Sequence, residues 1–293
     1  MTTTHPYTNL VFEGGGVKGV AYAGALEELE SAGILAQVTA VAGTSAGAIT
    51  AALVALGQTP AQLRETMLAL DFGQFEDGGM EGPWRLVEHF GWYRGDAFKH
   101  WMQAAVKARL GSPDATFADL AADGGLDLHV VATDLSVQMS QVFSAASSPD
   151  VAIADAVRMS MSIPLFFAAV TDAGSVYVDG GVVWNYPVEI FDGDEPDMAT
   201  LGLRLVGPPK PPPTPAKVGN VPEYVKALYE SILEVQSDYY ERTAADVART
   251  IPIDDLGLLA TDFTITRAQK LALIAQGSSA TRAFLAGATD PAS

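Results

Sequence analysis

Apolar residues early in the chain fall in short unbroken runs, and later in spacings of three and four. Residues 8–13 hold Leu10-Val11-Phe12 and read as a buried strand. Residues 17–32 take helical spacing and stop at Gly33. QVTAVAG, residues 37–43, reads as a second buried strand. The stretch AGAITAALVALG, residues 46–57, is the longest apolar one. A membrane span needs about 20 residues, so it reads as a buried helix running from Ser45 to Leu56. Thr59-Pro60 opens a third helix, because proline suits a first helical turn. This order of strand, helix, strand, helix predicts parallel strands with helices packed on the sheet.

Residues 71–95, DFGQFEDGGMEGPWRLVEHFGWYRG, are irregular and rich in aromatics. A helix is expected over 96–109, a strand over 128–135 with VQMSQVFS pairing to it, and a helix over 150–162 that stops before Pro164. VYVDGG, residues 176–181, reads as a short strand entering a turn, and 199–206 as another strand. GPPKPPPTPAKVGN, residues 207–220, reads as a Pro-rich linker or surface loop. Beyond it Val225, Leu228, Ile232, Val235 and Tyr239 mark one face of a long helix. IPIDD suggests a last short strand and 266–286 a last helix. The expected fold class is α/β: one three-layer domain over 1–293, with a mostly parallel central sheet and helices on both faces.

Composition narrows the chemistry. The 293 residues are 48% hydrophobic, enough for a large core. There is no cysteine, which excludes a disulfide, a thiolate metal site and a cysteine nucleophile. The four histidines, His5, His89, His100 and His129, show no zinc-like spacing. No metal or cofactor is expected. The formal charge of −18 argues against nucleic acid and leaves at most transient contact with a membrane surface. The N-terminus lacks a basic start and a long apolar stretch, so a cytoplasmic protein without a signal peptide is expected.

Two motifs compete for the loop GGGVKG. Gly14, Gly16 and Gly19 match the glycine pattern of a dinucleotide site after a strand. That pattern also needs an acidic residue about 20 positions on. No Asp or Glu lies between Glu30 and Glu65, so the ribose partner is missing. The second strand ends instead in Gly43-Thr44-Ser45-Ala46-Gly47, a G-x-S-x-G between an apolar strand and an apolar helix. Such a tight turn exposes Ser45 Oγ. If the first two strands are neighbours, the glycine loop lies at the same sheet edge. Within that loop of Gly14, Gly15, Gly16, Val17, Lys18 and Gly19, the triple glycine then supplies unobstructed N–H donors for an oxyanion. Lys18 itself reads as a solvated first-turn lysine. The plainer alternative is an ordinary strand–helix turn with Ser45 as N-cap.

No histidine is well placed as a base, since His129 lies within a strand and His89 and His100 lie on expected helices. Asp179 follows VYV and precedes Gly180-Gly181, so a turn presents it at a strand end. Partial desolvation would raise its pKa toward a useful value. Taken alone, the Asp-Gly-Gly also reads as a plain turn.

Together, GGGVKG, GTSAG and DGG, in this order, resemble the patatin-like phospholipase family, which is similar to cytosolic phospholipase A2 catalytic domains. The resemblance extends to ATDLSVQMSQVFS, to SMSIPLFFAAV before YVDGGVVWNYPV, and to TDFTITRAQKLALIAQG. It implies a patatin-like fold and a Ser-Asp dyad, with Ser45 as nucleophile and Asp179 as base. The Gly14–Gly19 loop would be the oxyanion hole. Lys18 stands where many members have arginine. The expected activity is hydrolysis of a lipid or small carboxyl ester through an acyl-enzyme. A non-catalytic acyl-binding protein on the same scaffold is the alternative. The aromatics Phe72, Phe75, Trp84, Phe90, Trp92 and Tyr93 are expected to cover the acyl entrance.

Overall fold

The structure is a computed structural model that describes residues 6–78, 82–207, 218–240 and 243–288. In chain order its elements are β1 Asn9–Phe12, α1 Tyr22–Ser31, β2 Ala40–Thr44, α2 Ala46–Ala55, α3 Pro60–Ala69, α4 Gly82–Glu88, β3 Gly91–Tyr93, α5 Asp96–Leu110, α6 Phe117–Ala122, β4 Asp127–Asp134, β5 Met139–Phe143 and α7 Ile153–Ser160. There follow β6 Leu165–Phe167, β7 Val170–Asp172, β8 Ser175–Asp179, β9 Thr200–Val206, α8 Val221–Tyr240, α9 Ala244–Ala248, β10 Thr250–Asp254 and α10 Arg267–Ala288.

The main sheet has the order β10-β9-β1-β2-β4-β8-β7, with β5 also paired to β4. From β10 to β4 every pairing is parallel; β8, β7 and β5 add antiparallel pairs. β1 and β2 are neighbours, as the order of the early elements implies, with Phe12 opposite Gly43. Both are buried along their length, which is why they read as unbroken apolar runs rather than alternating ones. Their side chains nonetheless alternate between faces. Leu10, Phe12 and Val41 join the large core, while Val11 and Ala42 meet Tyr186 and Val188 on the other face.

α2 is buried on nearly every side, so its sequence shows no polar face. α3 begins as expected: Thr59 and Gln62 form a reciprocal capping box on either side of Pro60. At its other end Lys270 of α10 reaches into the core. Its Nζ donates to the carbonyls of Met67, at 3.1 Å, and Leu70. A cation there satisfies orphan carbonyls and suits the negative end of the helix.

Three expectations change. The helix expected over 17–32 starts as a 3-10 turn, Gly16–Ala21, and becomes α-helical only at Tyr22. The aromatic segment contains a 3-10 turn, α4 and β3, which pairs with β6. The long helix after the Pro-rich segment forms, but its inner face is Val225, Tyr229 and Leu233, whereas Leu228 and Val235 are exposed. Hydrophobic spacing found Val225 but missed Tyr229 and Gln236, which line the side toward the sheet edge; the side chain of Tyr239 lies outside the described residues. Residues 208–217 of the Pro-rich segment, and His5, lie outside the described residues.

Candidate active site

β2 ends at Thr44, and Ser45 sits between it and α2 with φ 54° and ψ −122°. A positive φ costs a non-glycine residue on the order of 1–3 kcal/mol, so the surrounding fold must impose it. The flanking glycines make this turn possible. A Cβ on Gly43 would lie 2.3 Å from Gly47 O, and one on Gly47 would lie 2.2 Å from Phe12 O. Ser45 N–H donates to Ser160 Oγ at 2.8 Å, and Ser160 Oγ–H donates onward to Val131 O at 2.6 Å. The elbow is therefore tied to β4 and to the end of α7.

Asp179 is the last residue of β8, pairs with Ala132 of β4 and is fully buried. Its N–H donates to Ser162 O at 2.9 Å. Its Oδ1 accepts from Gly181 N–H at 2.7 Å, whereas Oδ2 has no partner of full hydrogen-bond geometry. The hydroxyls of Ser45 and Tyr229 interact with the carboxylate and pull its pKa down, as does Gly181 N–H. Burial outweighs all three and pushes the Asp179 carboxyl up to about 6. The short segment Ser160–Ser162 thus serves both residues, one through a hydroxyl and one through a carbonyl. Arg158 braces it: the guanidinium donates to Ser162 Oγ, to Arg94 O at 2.6 Å and to Ala168 O at 2.9 Å.

The glycine loop lies beside them. Gly14 N–H donates to Asn185 O at 2.9 Å, and Val17 N–H donates to Ala260 O at 3.1 Å. The N–H groups of Gly15 and Gly16 donate to no group among the described residues. Gly16 has φ +54°, and a Cβ there would lie 1.9 Å from Ala260 O, so this position requires glycine. Lys18 is not solvated. Its Nζ lies 2.8 Å from Asp255 Oδ2, both side chains are largely buried, and the pair fastens the loop to the end of β10.

Glu13, just before the loop, is buried and raised to about 7 by desolvation, against the pull of Arg204 and Lys18. Its Oε2 accepts from Leu205 N–H at 2.7 Å and its Oε1 from Asn185 Nδ2 at 3.3 Å.

A narrow apolar cavity opens beside Ser45, with Gly16 and Gly19 also on its wall. Val20, Ile49, Met67, Phe75, Met161 and Phe263 line it. Its volume is about 40 Å³, small beside the roughly 300 Å³ or more of an open ligand pocket. Of the six aromatics expected at an acyl entrance, Phe72 and Phe75 reach the cavity. Trp84 and Phe90 are exposed, and Trp84 lines a separate polar cleft with Arg85, His89 and Arg94. His129 lies 3.0 Å from Asp127 and edge-on to Phe191, and among the described residues no histidine lines the cavity. Among the described residues, no group of three or more His, Asp or Glu side chains is placed to hold a metal ion.

The patatin-like phospholipase family model matches residues 10–192, from β1 to beyond the turn after Asp179. The chain belongs to the patatin-like phospholipase family. Membership supports lipid acyl hydrolase activity in general terms. The uncharacterized protein YqhO of Bacillus subtilis (strain 168) is 34% identical over 302 residues, covering 95% of this chain and 98% of YqhO. The probable lipid hydrolase 463L of invertebrate iridescent virus 6 is 25% identical over 63% of each chain. The crystal structure of VipD from Legionella pneumophila shares the fold, with a TM-score of 0.71 and 19% identity over 97% of this chain and 67% of VipD.

Within this patatin-like fold the site contains residues that motif spacing did not reveal. Asn185 joins the glycine loop to the turn after Asp179: its Nδ2 donates to Gly14 O at 3.1 Å. Gln236 of α8 donates to Gly181 O at 2.5 Å and accepts from Asn185 N–H at 2.8 Å. Ser160 was hidden in an ordinary helical pattern. Only the polar doublet of Ser160 and Ser162 before Pro164 hinted that this helix end had work to do.

Proposed function

We propose that this patatin-like chain is a serine acyl hydrolase of lipid or small carboxyl esters. Ser45 is the nucleophile and Asp179 the base. Ser45 Oγ attacks the ester carbonyl carbon as its proton passes to Asp179. The oxyanion accepts from Gly15 and Gly16 N–H, the two uncommitted donors of the loop. The carbon–oxygen bond then breaks, and Asp179 returns the proton to the departing alcohol. A water attacks the acyl-enzyme as Asp179 takes its proton, the bond from the acyl carbon to Ser45 Oγ breaks, Asp179 returns the proton to Oγ, and the acid leaves.

One observation carries this reading. A strained serine, a desolvated carboxylate and two free N–H groups share one sheet edge, and the serine opens onto an apolar cavity. A pKa near 6 suits the carboxylate to accept a proton near neutral pH. The apolar lining favours an acyl chain, and the name of the iridescent virus relative, a probable lipid hydrolase, agrees with a lipid ester.

Turnover of p-nitrophenyl esters and phospholipid vesicles tests it. Ser45→Ala and Asp179→Asn are each expected to abolish nearly all turnover, and the double variant to be no worse, because the pair acts as a unit. A fluorophosphonate probe should label wild type at Ser45, Asp179→Asn far more slowly, and Ser45→Ala not at all. Wild-type rates in folded Asp179→Asn would remove the dyad. No turnover of any ester by wild type would leave an acyl-binding protein.

A further inference from the structure

α8 lies beyond the segment matched to the family, yet it reaches the dyad. Its Tyr229 is 4% exposed. The hydroxyl of Tyr229 interacts with both the Asp179 carboxylate and the Ser45 side chain. Gly181 explains how it gets there. A Cβ on Gly181 would lie 3.0 Å from Tyr229 OH, 3.0 Å from Asp179 Oδ1 and 2.8 Å from Asn185 Oδ1. The second glycine of Asp-Gly-Gly therefore leaves the gap through which the tyrosine approaches. Two helical turns on, Gln236 brackets the same turn through its bonds to Gly181 O and Asn185 N–H, so the phenol is held at a fixed depth.

The remaining polar demand at this spot is for a donor. Asp179 Oδ2 and Asn185 Oδ1 are both buried acceptors without a partner of full geometry. Buried acceptors left so are costly, and Tyr229 brings an O–H to their side of the turn.

We propose that Tyr229 is a positioning residue of the dyad, whose hydroxyl donates to the Asp179 carboxylate and holds it toward Ser45 Oγ. This rests on the Ser45–Asp179 reading above. Tyr229 keeps its proton throughout; the transferred proton moves only between Ser45, Asp179, the leaving alcohol and water. Burial and the nearby Asp179 raise the phenol well above its ordinary value, so it remains a donor across the working range. The groups facing Asp179 are few. Ser45 faces it from the start of α2, Gly181 N–H from its own turn and Tyr229 from α8. From β4, Thr133 Oγ1 donates to Gly180 O and Asp134 accepts from Ser136 N–H, so neither is spent on the carboxylate. Glu230 acts on Tyr229 but adds nothing to the shift at Asp179.

The test is the pH profile of kcat/KM for p-nitrophenyl butyrate in wild type, Tyr229→Phe and Tyr229→Leu, with Asp179→Asn alongside. Phenylalanine keeps the ring and removes only the donor. Its loss should move the midpoint of the acid limb up by about one pH unit. Tyr229→Phe should then be about fivefold slower at pH 6 and within twofold of wild type at pH 8. Tyr229→Leu should show the same displaced midpoint with a further loss at every pH. An unmoved midpoint in Tyr229→Phe, or an equal loss at all pH values, overturns the proposal and leaves a packing role. Should Tyr229→Phe fail to fold, the midpoint in Tyr229→Leu decides on the same criterion. The dyad reading fails separately, through turnover by Asp179→Asn or the absence of an acid limb in wild type.

Discussion

Ser45 and Asp179 meet through one strand, β4. Thr44, the residue before Ser45, pairs with Val131, and Asp179 pairs with the next residue, Ala132. One pairing is parallel and the other antiparallel, yet both place a strand end at the same edge. That register brings a serine elbow and a buried carboxylate together from distant parts of the chain.

Asp179 should weaken the fold in return for its reactivity. Its folded pKa is about 6, against about 4 when unfolded. Between those values the folded state keeps a proton that the unfolded chain has released. Stability therefore falls as pH rises through this window, by about 3 kcal/mol in all, and stays lower above it. Asp179→Asn should melt higher than wild type at pH 8 and lose that advantage by pH 4. A lower melting temperature at pH 8 would contradict the burial argument.

The two donor glycines should respond differently to alanine. At Gly16 the new methyl meets a backbone carbonyl and needs a positive φ. At Gly15 it meets the Leu205 Cδ1 methyl, 2.3 Å away at the end of a side chain. Gly16→Ala is expected to lower kcat at least a hundredfold. Gly15→Ala should lose less and recover when combined with Leu205→Ala. Steady-state kinetics on folded protein checks both, and equal, unrescued losses would refute the distinction.

Lys18→Met leaves Asp255 largely buried without its cation. A cost of about 3 kcal/mol is expected in urea unfolding, with a loss in kcat as the glycine loop loosens. Lys18→Met combined with Asp255→Leu should regain most of the stability. If Lys18→Met unfolds like wild type, the pair contributes nothing to the loop's anchorage.

Phe75 lines the cavity, whereas Trp84 stands in the polar cleft outside it. Phe75→Ala should favour longer p-nitrophenyl esters and cost about 3–5 kcal/mol of stability. Trp84→Ala should leave the chain-length profile as it is. A profile altered by Trp84 and not by Phe75 would put the acyl chain elsewhere.

Much of this was legible in the chain. Leu10-Val11-Phe12 and Ala40-Val41-Ala42 are short apolar runs because parallel central strands are buried on both faces, so the strands could be read directly, while their adjacency stood as a condition that the sheet order meets. Gly43 and Gly47 marked the elbow because close backbone approach there tolerates no Cβ, a constraint that shows in composition. Other features depended on which surfaces met. Lys18 looked solvated because Asp255, its partner, lies in a loop far along the chain. The stripe of α8 was right only at Val225 because the helix turns Tyr229 and Gln236 toward the sheet edge, and hydrophobic spacing does not record polar demand. Ser160, Asn185 and Tyr229 carry no motif of their own. Their positions follow from sheet order and packing, and tertiary structure alone decides which hydroxyl or amide a buried N–H or carboxylate will find.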